Sequence, residues 1–201
     1  MSDDDLARHA AKAAKRKAFR DAKIATKTIE KGLLMVHTGK GKGKSTAAFG
    51  LVLRALGNDM KVGVVQFTKG KWGTGERGAL ERFGDQIRFA TMGEGFTWET
   101  QDRARDVAAA TKAWEAAKAM LAAPDLGLVV LDELNIVLRY DYLDLTDVIE
   151  GLQARRDGLH VLVTGRNARK ELIEAADMVT EMVPVKHHFD SGVKAQMGIE
   201  F

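Results

Sequence analysis

Glycines and lysines alternate over residues 38–45, where the chain reads TGKGKGKS. An apolar run precedes this segment and a helix-forming run follows it, so it lies between a predicted strand and a predicted helix. Glycines let successive backbone N–H groups turn toward one anion, and a helix N-terminus adds partial positive charge. Lys44 can then reach the outer phosphates of a nucleotide, and the Ser45 hydroxyl can bind Mg²⁺. The segment is therefore typical of a loop that binds a nucleoside triphosphate.

This segment, the P-loop (residues 38–45), also has a simpler interpretation. The strict phosphate-binding pattern has glycine where this chain has Thr38. A surface turn rich in glycine and lysine has a similar composition, and the flanking strand and helix favour phosphate binding over it. The predicted nucleotide-binding positions are Thr38, Gly39, Lys40, Gly41, Lys42, Gly43, Lys44, Ser45 and Thr46.

Charged residues follow two further apolar runs. Asp132 and Glu133 end a valine-rich run, and a carboxylate at this place in a P-loop protein faces the metal ion. Capping of the next helix is the alternative role for this pair. Arg166 follows the run 160–164 and is predicted to contact phosphate, because parallel sheets bind ligands at the carboxyl ends of their strands; a surface salt bridge is the alternative. Arg54 is either a nucleotide contact or a solvated side chain.

Two large aromatic residues lie two positions apart in a glycine-rich segment, 93–100, which reads GEGFTWET. A solvent-exposed loop normally avoids such side chains. Phe96 and Trp98 either fill a gap in the core or line a binding site. The composition of the segment leaves both interpretations open.

Short apolar runs alternate with helix-like segments after residue 32. Runs of four or five apolar residues between helices indicate a parallel sheet that is covered on both faces. We therefore predict an α/β fold of the P-loop NTPase (RecA-like) type, with a mostly parallel sheet and helices on both faces. The predicted strands are 33–37, 61–67, 87–90, 127–131, 160–164 and 178–183, and the predicted helices are 45–56, 102–122, 145–156 and 168–176.

A basic segment precedes this body. Residues 1–31 contain nine Lys and Arg and five acids, whereas the other 170 residues contain 22 bases and 23 acids. Ala, Lys and Arg favour a helix from residue 6 to about residue 27, but few large apolar side chains are available to pack it. We predict two parts, 1–31 as a basic helical arm and 32–201 as the α/β domain. A solvated helix, a nucleic-acid contact, a lid and a dimer contact are the alternatives for the arm.

The composition excludes several functional classes. The 201 residues contain no cysteine, which excludes disulfides, cysteine zinc sites, iron–sulfur clusters and thiol catalysis. No apolar run approaches the ~20 residues of a membrane span, and no secretory signal opens the chain. A cytoplasmic protein is therefore expected, with neither a membrane nor a nucleic acid as its partner.

The motifs occur together and in one order: the P-loop, the strand KVGVVQF, the aromatic segment, the run LDEL and the tail PVKHHFDSGVKAQMGIEF. This set resembles the P-loop class of ATP:corrinoid adenosyltransferases, which adenosylate cobalamin and its cobyrinic acid a,c-diamide precursor. The resemblance covers about residues 32–201. It implies transfer of the 5′-deoxyadenosyl group of ATP to the cobalt of a reduced corrinoid, with release of triphosphate, in adenosylcobalamin biosynthesis or salvage.

The resemblance also implies roles for individual residues of the nucleotide site. Lys44 and the backbone of the loop glycines hold the triphosphate. Ser45 and Glu133 hold Mg²⁺ (or Mn²⁺), and Asp132 supports these ligands without binding the metal directly. ATP lies reversed relative to P-loop hydrolases, so that its ribose carbon, and not a phosphorus atom, faces the attacking cobalt.

The aromatic pair has a role in the same family. Phe96 and Trp98 match the aromatics that lie under the corrin ring and displace its lower axial ligand, which eases reduction of Co(II) to Co(I). The resemblance further implies a homodimer and a flavoprotein reductant. The family more often has Asn where this chain has Lys40, so the hydrogen bond of that side chain is in question. His187 and His188 lack a third metal ligand at suitable spacing and are expected to be structural.

Two other functions are compatible with the sequence. A phosphoryl-transferring or ATP-hydrolysing P-loop enzyme would use Glu133 to orient water and would release ADP and phosphate. A RecA-like nucleic-acid-binding module would use the basic arm, and its binding would weaken steeply with salt.

Overall fold

The chain divides into two units, Met1–Lys31 and Gly32–Phe201. The computed structural model describes residues 2–68, 75–91 and 102–200.

The first unit contains a single long helix, α1 (Asp3–Ala25), among its described residues. The Ser2 hydroxyl accepts a hydrogen bond from the backbone N–H of Asp5, and the Asp5 carboxylate accepts one from the backbone N–H of Ser2. This capping box satisfies two N–H groups at the helix N-terminus, and it explains why the helix begins before the predicted residue 6. The side chain of Phe19 is 75% exposed, so the largest apolar side chain of α1 is not buried.

The second unit contains one sheet. Its strands are β1 (Leu34–Thr38), β2 (Val62–Gln66), β3 (Ile87–Thr91), β4 (Leu128–Asp132), β5 (His160–Thr164) and β6 (Met178–Glu181). Within the described residues these six strands are hydrogen-bonded in the order β3-β2-β4-β5-β1-β6, and every pair is parallel. The predicted α/β class is confirmed. The predicted strand 160–164 matches β5, and the other predicted strands differ from the observed ones by at most two residues at either end.

Helices cover both faces of this sheet. They are α2 (Lys44–Leu56), α3 (Gly75–Leu80), α4 (Arg103–Ala122), α5 (Leu134–Arg139), α6 (Leu145–Gln153) and α7 (Lys170–Ala175), with 3₁₀ turns at Glu81–Gln86 and His188–Ser191. The sequence pattern predicts neither α3 nor α5. The predicted helix 145–156 ends early at Gln153. Beyond this end, the Arg155 guanidinium donates hydrogen bonds to the carbonyl oxygens of Leu152 and Gly32.

Alternate residues of β1, β2, β4 and β5 pack into opposite layers of the core. In β4, Leu128 and Val130 pack with α2, whereas Val129 and Leu131 pack with α4, α5 and α6. Because both faces of β2 and β4 are buried, these strands are apolar up to their last residue and do not alternate with polar residues. The edge strand β6 is exposed along its length.

The carboxyl ends of the central strands lie at the same edge of the sheet, because the strands are parallel. β5 pairs with both β1 and β4 and therefore separates them. The P-loop after β1, the acids at the end of β4 and the turn after β5 all lie at this edge. Among the residues that the structure describes, no helix has the length and apolar character needed to cross a bilayer.

Candidate active site

The P-loop joins β1 directly to α2. Its turns depend on glycine, because Gly39 has φ 95° and Gly43, which caps α2, has φ 100°. Residues that carry a side chain rarely adopt these left-handed backbone conformations. Lys44 and Ser45 are therefore the first residues of α2, at the end of the helix that favours anions.

The side chain of Lys44 is buried inside the loop, with 6% of the residue exposed. Its Nζ donates hydrogen bonds to the carbonyl oxygens of Gly39, at 3.1 Å, and Gly41, at 2.5 Å. Burial lowers the pKa of Lys44, and the nearby charge of Glu133 opposes this effect, whereas Arg166 adds to it. The lysine is thus held at the centre of the loop by backbone carbonyls.

The P-loop rests on the backbone that follows β6. The N–H of Gly41 donates to the carbonyl oxygen of Met182 at 2.7 Å, and the N–H of Met182 donates to the carbonyl oxygen of Thr38 at 2.9 Å. A Cβ at Gly39 or Gly41 would lie 2.4 or 2.7 Å from that same Met182 oxygen. The hydroxyl of Thr38 also accepts a hydrogen bond from the N–H of Ala168 at 3.0 Å. Glycine is required here by close contact as well as by conformation.

Asp132 is a buried acceptor at the end of β4, 5% exposed. The Thr164 hydroxyl donates to its Oδ1 at 2.7 Å, and the side chains of Ser45 and Gln66 also donate to the carboxylate. Burial raises the pKa of Asp132, and the three hydrogen bonds partly offset this. The carboxylate therefore links the start of α2 with β2 and β5.

Glu133 has a backbone conformation that is uncommon for a residue with a side chain, with φ 62° and ψ 21°. Its N–H donates to the Thr164 hydroxyl at 3.0 Å. Its Oε2 is buried and has no hydrogen-bond partner among the described residues. Burial, and secondly the charge of Asp132, raises the pKa of Glu133 from its ordinary value of 4.5 to about 7, while Lys44 and then Arg166 oppose the rise.

Arg166 lies in the turn after β5, next to these groups. Its side chain is exposed, and its charge affects both Lys44 and Glu133. The preceding Gly165 has φ 126°, and a Cβ there would lie 2.8 Å from the Cβ of Asn135 and 3.0 Å from Oε2 of Glu133. The structure therefore brings Lys44, Ser45, Asp132, Glu133 and Arg166 to one edge of the sheet.

Other predicted site residues lie away from this edge of the sheet or outside the described residues. Arg54 is exposed in the last turn of α2, about 15 Å along the helix from Lys44 at 1.5 Å per residue, so its contact with nucleotide stays a prediction. Phe96 and Trp98 lie outside the described residues. Lys40 and Lys42 are exposed in the P-loop, and Thr46 is exposed in the first turn of α2.

The C-terminal tail contacts the P-loop. Lys42 forms an ion pair with Glu200, and Nε2 of His188 lies 3.8 Å from Oε1 of Glu200. The rings of His187 and His188 stack, with centroids 4.8 Å apart. Within the part of the chain that the structure describes, no three His, Asp or Glu residues form a cluster that could hold a metal ion.

A cavity of about 540 Å³ lies beside the P-loop, between it and β6. Its walls are mostly apolar, with Ile173, Val179 and Val183 among them, and the polar side chains of Lys40 and Glu181 line it as well.

Several residues of this edge were missed by the sequence analysis. Gln66 ends a strand in register with Asp132, and a polar residue at the end of an apolar run was the available signal. Thr164 has the same signal on β5. Asn135 is fully buried and donates to the Gly165 carbonyl, but only its position after the two acids pointed to it. No sequence pattern pointed to the contact of the P-loop with Met182.

A glycine-rich loop between a strand and a helix, with a buried lysine and with buried acids at the end of another strand of the same sheet, defines the P-loop class of nucleotide-binding α/β proteins. The comparison with known proteins narrows this class. Residues 30–201 match the family model described as ATP:corrinoid adenosyltransferase BtuR/CobO/CobP. The chain belongs to this family.

Individual relatives agree with this assignment. The chain is 56% identical over 202 residues to a corrinoid adenosyltransferase from Sinorhizobium sp, covering 100% of this chain and 94% of that relative. It is 57% identical over 194 residues to a corrinoid adenosyltransferase from Pseudomonas aeruginosa, covering 96% of each. A solved structure that matches is the flagellar accessory protein FlaH from Methanocaldococcus jannaschii, with TM-score 0.47 and 10% identity over 78% of this chain and 73% of that chain.

Proposed function

We propose that ATP binds at the P-loop edge of this chain and that Lys44 and Arg166 hold its triphosphate there. The chain is a corrinoid adenosyltransferase, which transfers the adenosyl group of ATP to a corrinoid. The observation that supports the proposed site is the grouping of Lys44, Glu133 and Arg166 at one edge of the sheet, where the charges of Lys44 and Arg166 act to lower the pKa of Glu133.

The proposed reaction is a displacement at carbon. The reduced cobalt attacks C5′ of ATP, the cobalt–carbon bond forms, the C5′–O bond breaks and the electron pair leaves on triphosphate. ATP lies reversed relative to P-loop hydrolases, so that its sugar faces the corrinoid. Lys44 and Arg166 stabilise the charge that develops on the leaving triphosphate. No proton is transferred, so the site needs no general base.

The site also fits a divalent cation, Mg²⁺ or Mn²⁺. Such cations take oxygen ligands, and the Oε2 of Glu133 is a buried oxygen without a partner among the described residues. We propose Ser45 and Glu133 as the ligands, with Asp132 orienting the Ser45 hydroxyl that donates to it. When bound, the cation neutralises negative charge on the triphosphate. Glu133 then acts as a ligand and does not activate water.

The aromatic pair is proposed to act on the corrinoid. Phe96 and Trp98 would displace the lower axial ligand of cobalt and exclude water, which makes the reduction to Co(I) accessible to a weak reductant such as a flavoprotein. We also propose a cytoplasmic homodimer in which the arm, residues 1–31, closes over the corrinoid site. The preferred corrinoid is either an early intermediate, cobinamide or complete cobalamin.

A product assay tests this function. The protein is incubated with ATP, Mg²⁺ and a chemically reduced corrinoid, and we expect a light-sensitive cobalt–carbon product and inorganic triphosphate in equal amounts. ADP and phosphate in their place would contradict the proposal and favour a hydrolase that uses Glu133 to orient water.

The aromatic pair can be tested in the same assay. Trp98→Ala should lower turnover more strongly with a reduced flavin than with a strong chemical reductant, because the strong reductant does not depend on loss of the axial ligand. Trp72→Ala, the same change at a tryptophan outside the aromatic segment, is the control. Equal losses of turnover with both reductants would contradict the proposed role of Trp98.

A further inference from the structure

Asn135 is a buried amide at the start of the short helix α5. It is 0% exposed, and its Nδ2 donates a hydrogen bond to the carbonyl oxygen of Gly165 at 2.9 Å. Its Oδ1 is buried without a hydrogen-bond partner among the described residues. A buried, unpaired amide oxygen is unfavourable, so the amide is not explained by the stability of α5. The bond from Nδ2 is the interaction that distinguishes Asn135 from an apolar residue of the same size.

This hydrogen bond acts on the peptide that leads to Arg166. The Gly165 carbonyl and the Arg166 nitrogen belong to one planar peptide unit. A donor that fixes the carbonyl oxygen therefore also fixes the direction in which the chain enters Arg166. The exposed side chain of Arg166 leaves the sheet edge from this point.

The same peptide is packed tightly against Glu133. Gly165 has φ 126°, and a Cβ on it would lie 2.8 Å from the Cβ of Asn135 and 3.0 Å from Oε2 of Glu133. Asn135 thus lies between the turn that carries Arg166 and the acid that precedes α5. Movement of the Gly165 peptide would change the separation of the Arg166 and Glu133 charges.

We propose that Asn135 is a positioning residue, which holds the Gly165–Arg166 peptide so that the Arg166 guanidinium and the Glu133 carboxylate face the same triphosphate. Asn135 itself touches neither nucleotide nor corrinoid. The inference rests on the proposed function, because it requires that Arg166 contacts the triphosphate.

A double-mutant cycle tests the proposal through binding, without turnover. Asn135→Leu has a similar size and lacks the donor, and Arg166→Ala removes the group that Asn135 is proposed to position. The dissociation constant of inorganic triphosphate at fixed Mg²⁺ is measured by calorimetry for both variants, for the double variant and for the unchanged protein. Asn135→Leu should weaken binding by about tenfold on its own and by less than about twofold when Arg166→Ala is present.

Asn58 offers a matched control. Its Nδ2 also donates to a backbone carbonyl, that of Arg54 at 2.7 Å, at the far end of α2. Asn58→Leu should leave triphosphate binding unchanged. If Asn135→Leu does not fold, as judged by thermal unfolding, Asn135→Ala, which also lacks the donor, replaces it in the cycle with the same expected pattern.

The outcomes distinguish a failure of the positioning role of Asn135 from a failure of the proposed contact between Arg166 and triphosphate. A tenfold loss from Asn135→Leu that persists with Arg166→Ala would overturn the positioning role, and so would no loss at all. If Arg166→Ala alone leaves triphosphate binding unchanged, the proposed contact of Arg166 is wrong and the inference falls with it. The adenosyl transfer itself is judged separately, by the cobalt–carbon product.

Discussion

Glu133 combines a buried carboxylate with an uncommon backbone conformation. Its φ of 62° directs the chain away from β4, and a non-glycine residue in this conformation costs of order 1 kcal/mol. Its unpartnered Oε2 is a further cost within the described residues. Both are unfavourable for folding, and the proposed role of Glu133 as a cation ligand would give its Oε2 a partner.

The raised pKa of Glu133 predicts how stability depends on pH in the absence of metal. Its folded-state pKa of about 7 is above its ordinary value of 4.5, so its contribution to stability is present below pH 4.5 and is lost as the pH rises through 7. Glu133→Gln keeps the uncharged form at every pH. Denaturation in chelator should show the variant gaining about 2 kcal/mol over the unchanged protein between about pH 5 and pH 8.

The control for this prediction is the same change at an exposed acid of α7, Glu171→Gln. This variant should show the same dependence of stability on pH as the unchanged protein. A profile of Glu133→Gln that runs parallel to that of the unchanged protein would contradict the burial of a titrating carboxylate at Glu133.

At the scale of elements, the P-loop is shaped by the backbone on which it lies. Gly41 does not have a left-handed backbone conformation, yet a Cβ there would lie 2.7 Å from the oxygen and 2.8 Å from the carbonyl carbon of Met182. Backbone atoms cannot rotate away from such a contact as a flexible side chain can. The loop and the segment after β6 must therefore move together.

Gly41→Ala should consequently destabilise the protein by about 1–3 kcal/mol, as overpacked sites do, and should also weaken ATP binding. Gly50→Ala is the matched control, because Gly50 lies inside α2 and no described atom outside that helix lies within 4 Å of the place that a Cβ would take. It should stabilise the helix by about 0.5–1 kcal/mol. Thermal unfolding of both variants gives the comparison, and equal shifts in Tm would refute the contact with Met182.

The sheet could be predicted from the sequence because burial on both faces makes its central strands, such as β2 and β4, nearly continuous apolar runs. The run before Asp132 and the run before Thr164 show this directly, and the parallel arrangement places their ends together. The P-loop could be predicted for a similar reason, since its glycines and its lysine are needed at fixed positions.

Other features depend on contacts between distant segments and have no local pattern. α5 begins directly after Glu133, a residue in a left-handed backbone conformation whose side chain does not cap the helix. The usual sequence signal for the start of a helix is therefore absent. The role of Asn135 depends on Gly165, 30 residues away. The support of the P-loop depends on Met182, and no pattern within the loop itself predicts that contact.

At the scale of the whole chain, charge and burial are distributed unequally. The hydrophobic clusters of the described residues begin at Leu33 and lie entirely in the second unit. The first unit instead has nine Lys and Arg and five acids over residues 1–31, with apolar side chains such as Phe19 exposed. The stability of the α/β domain should therefore be independent of the arm, whereas the arm needs another surface in order to bury its apolar side chains.

Removal of residues 1–31 tests this division and the proposed lid together. Because the core is retained, the free energy of unfolding of the shortened chain should stay within about 0.5 kcal/mol of that of the full chain, which is the usual effect of a surface substitution.

The KM for the reduced corrinoid should rise in the shortened chain, while the KM for ATP changes little, since a lid over the corrinoid contributes to the binding of that substrate alone. Phe19→Ser in the full chain should reproduce part of the rise if burial of this side chain closes the lid. Unchanged corrinoid KM in the shortened chain would show that the arm has another role, and binding of nucleic acid that falls steeply with salt would then identify the alternative.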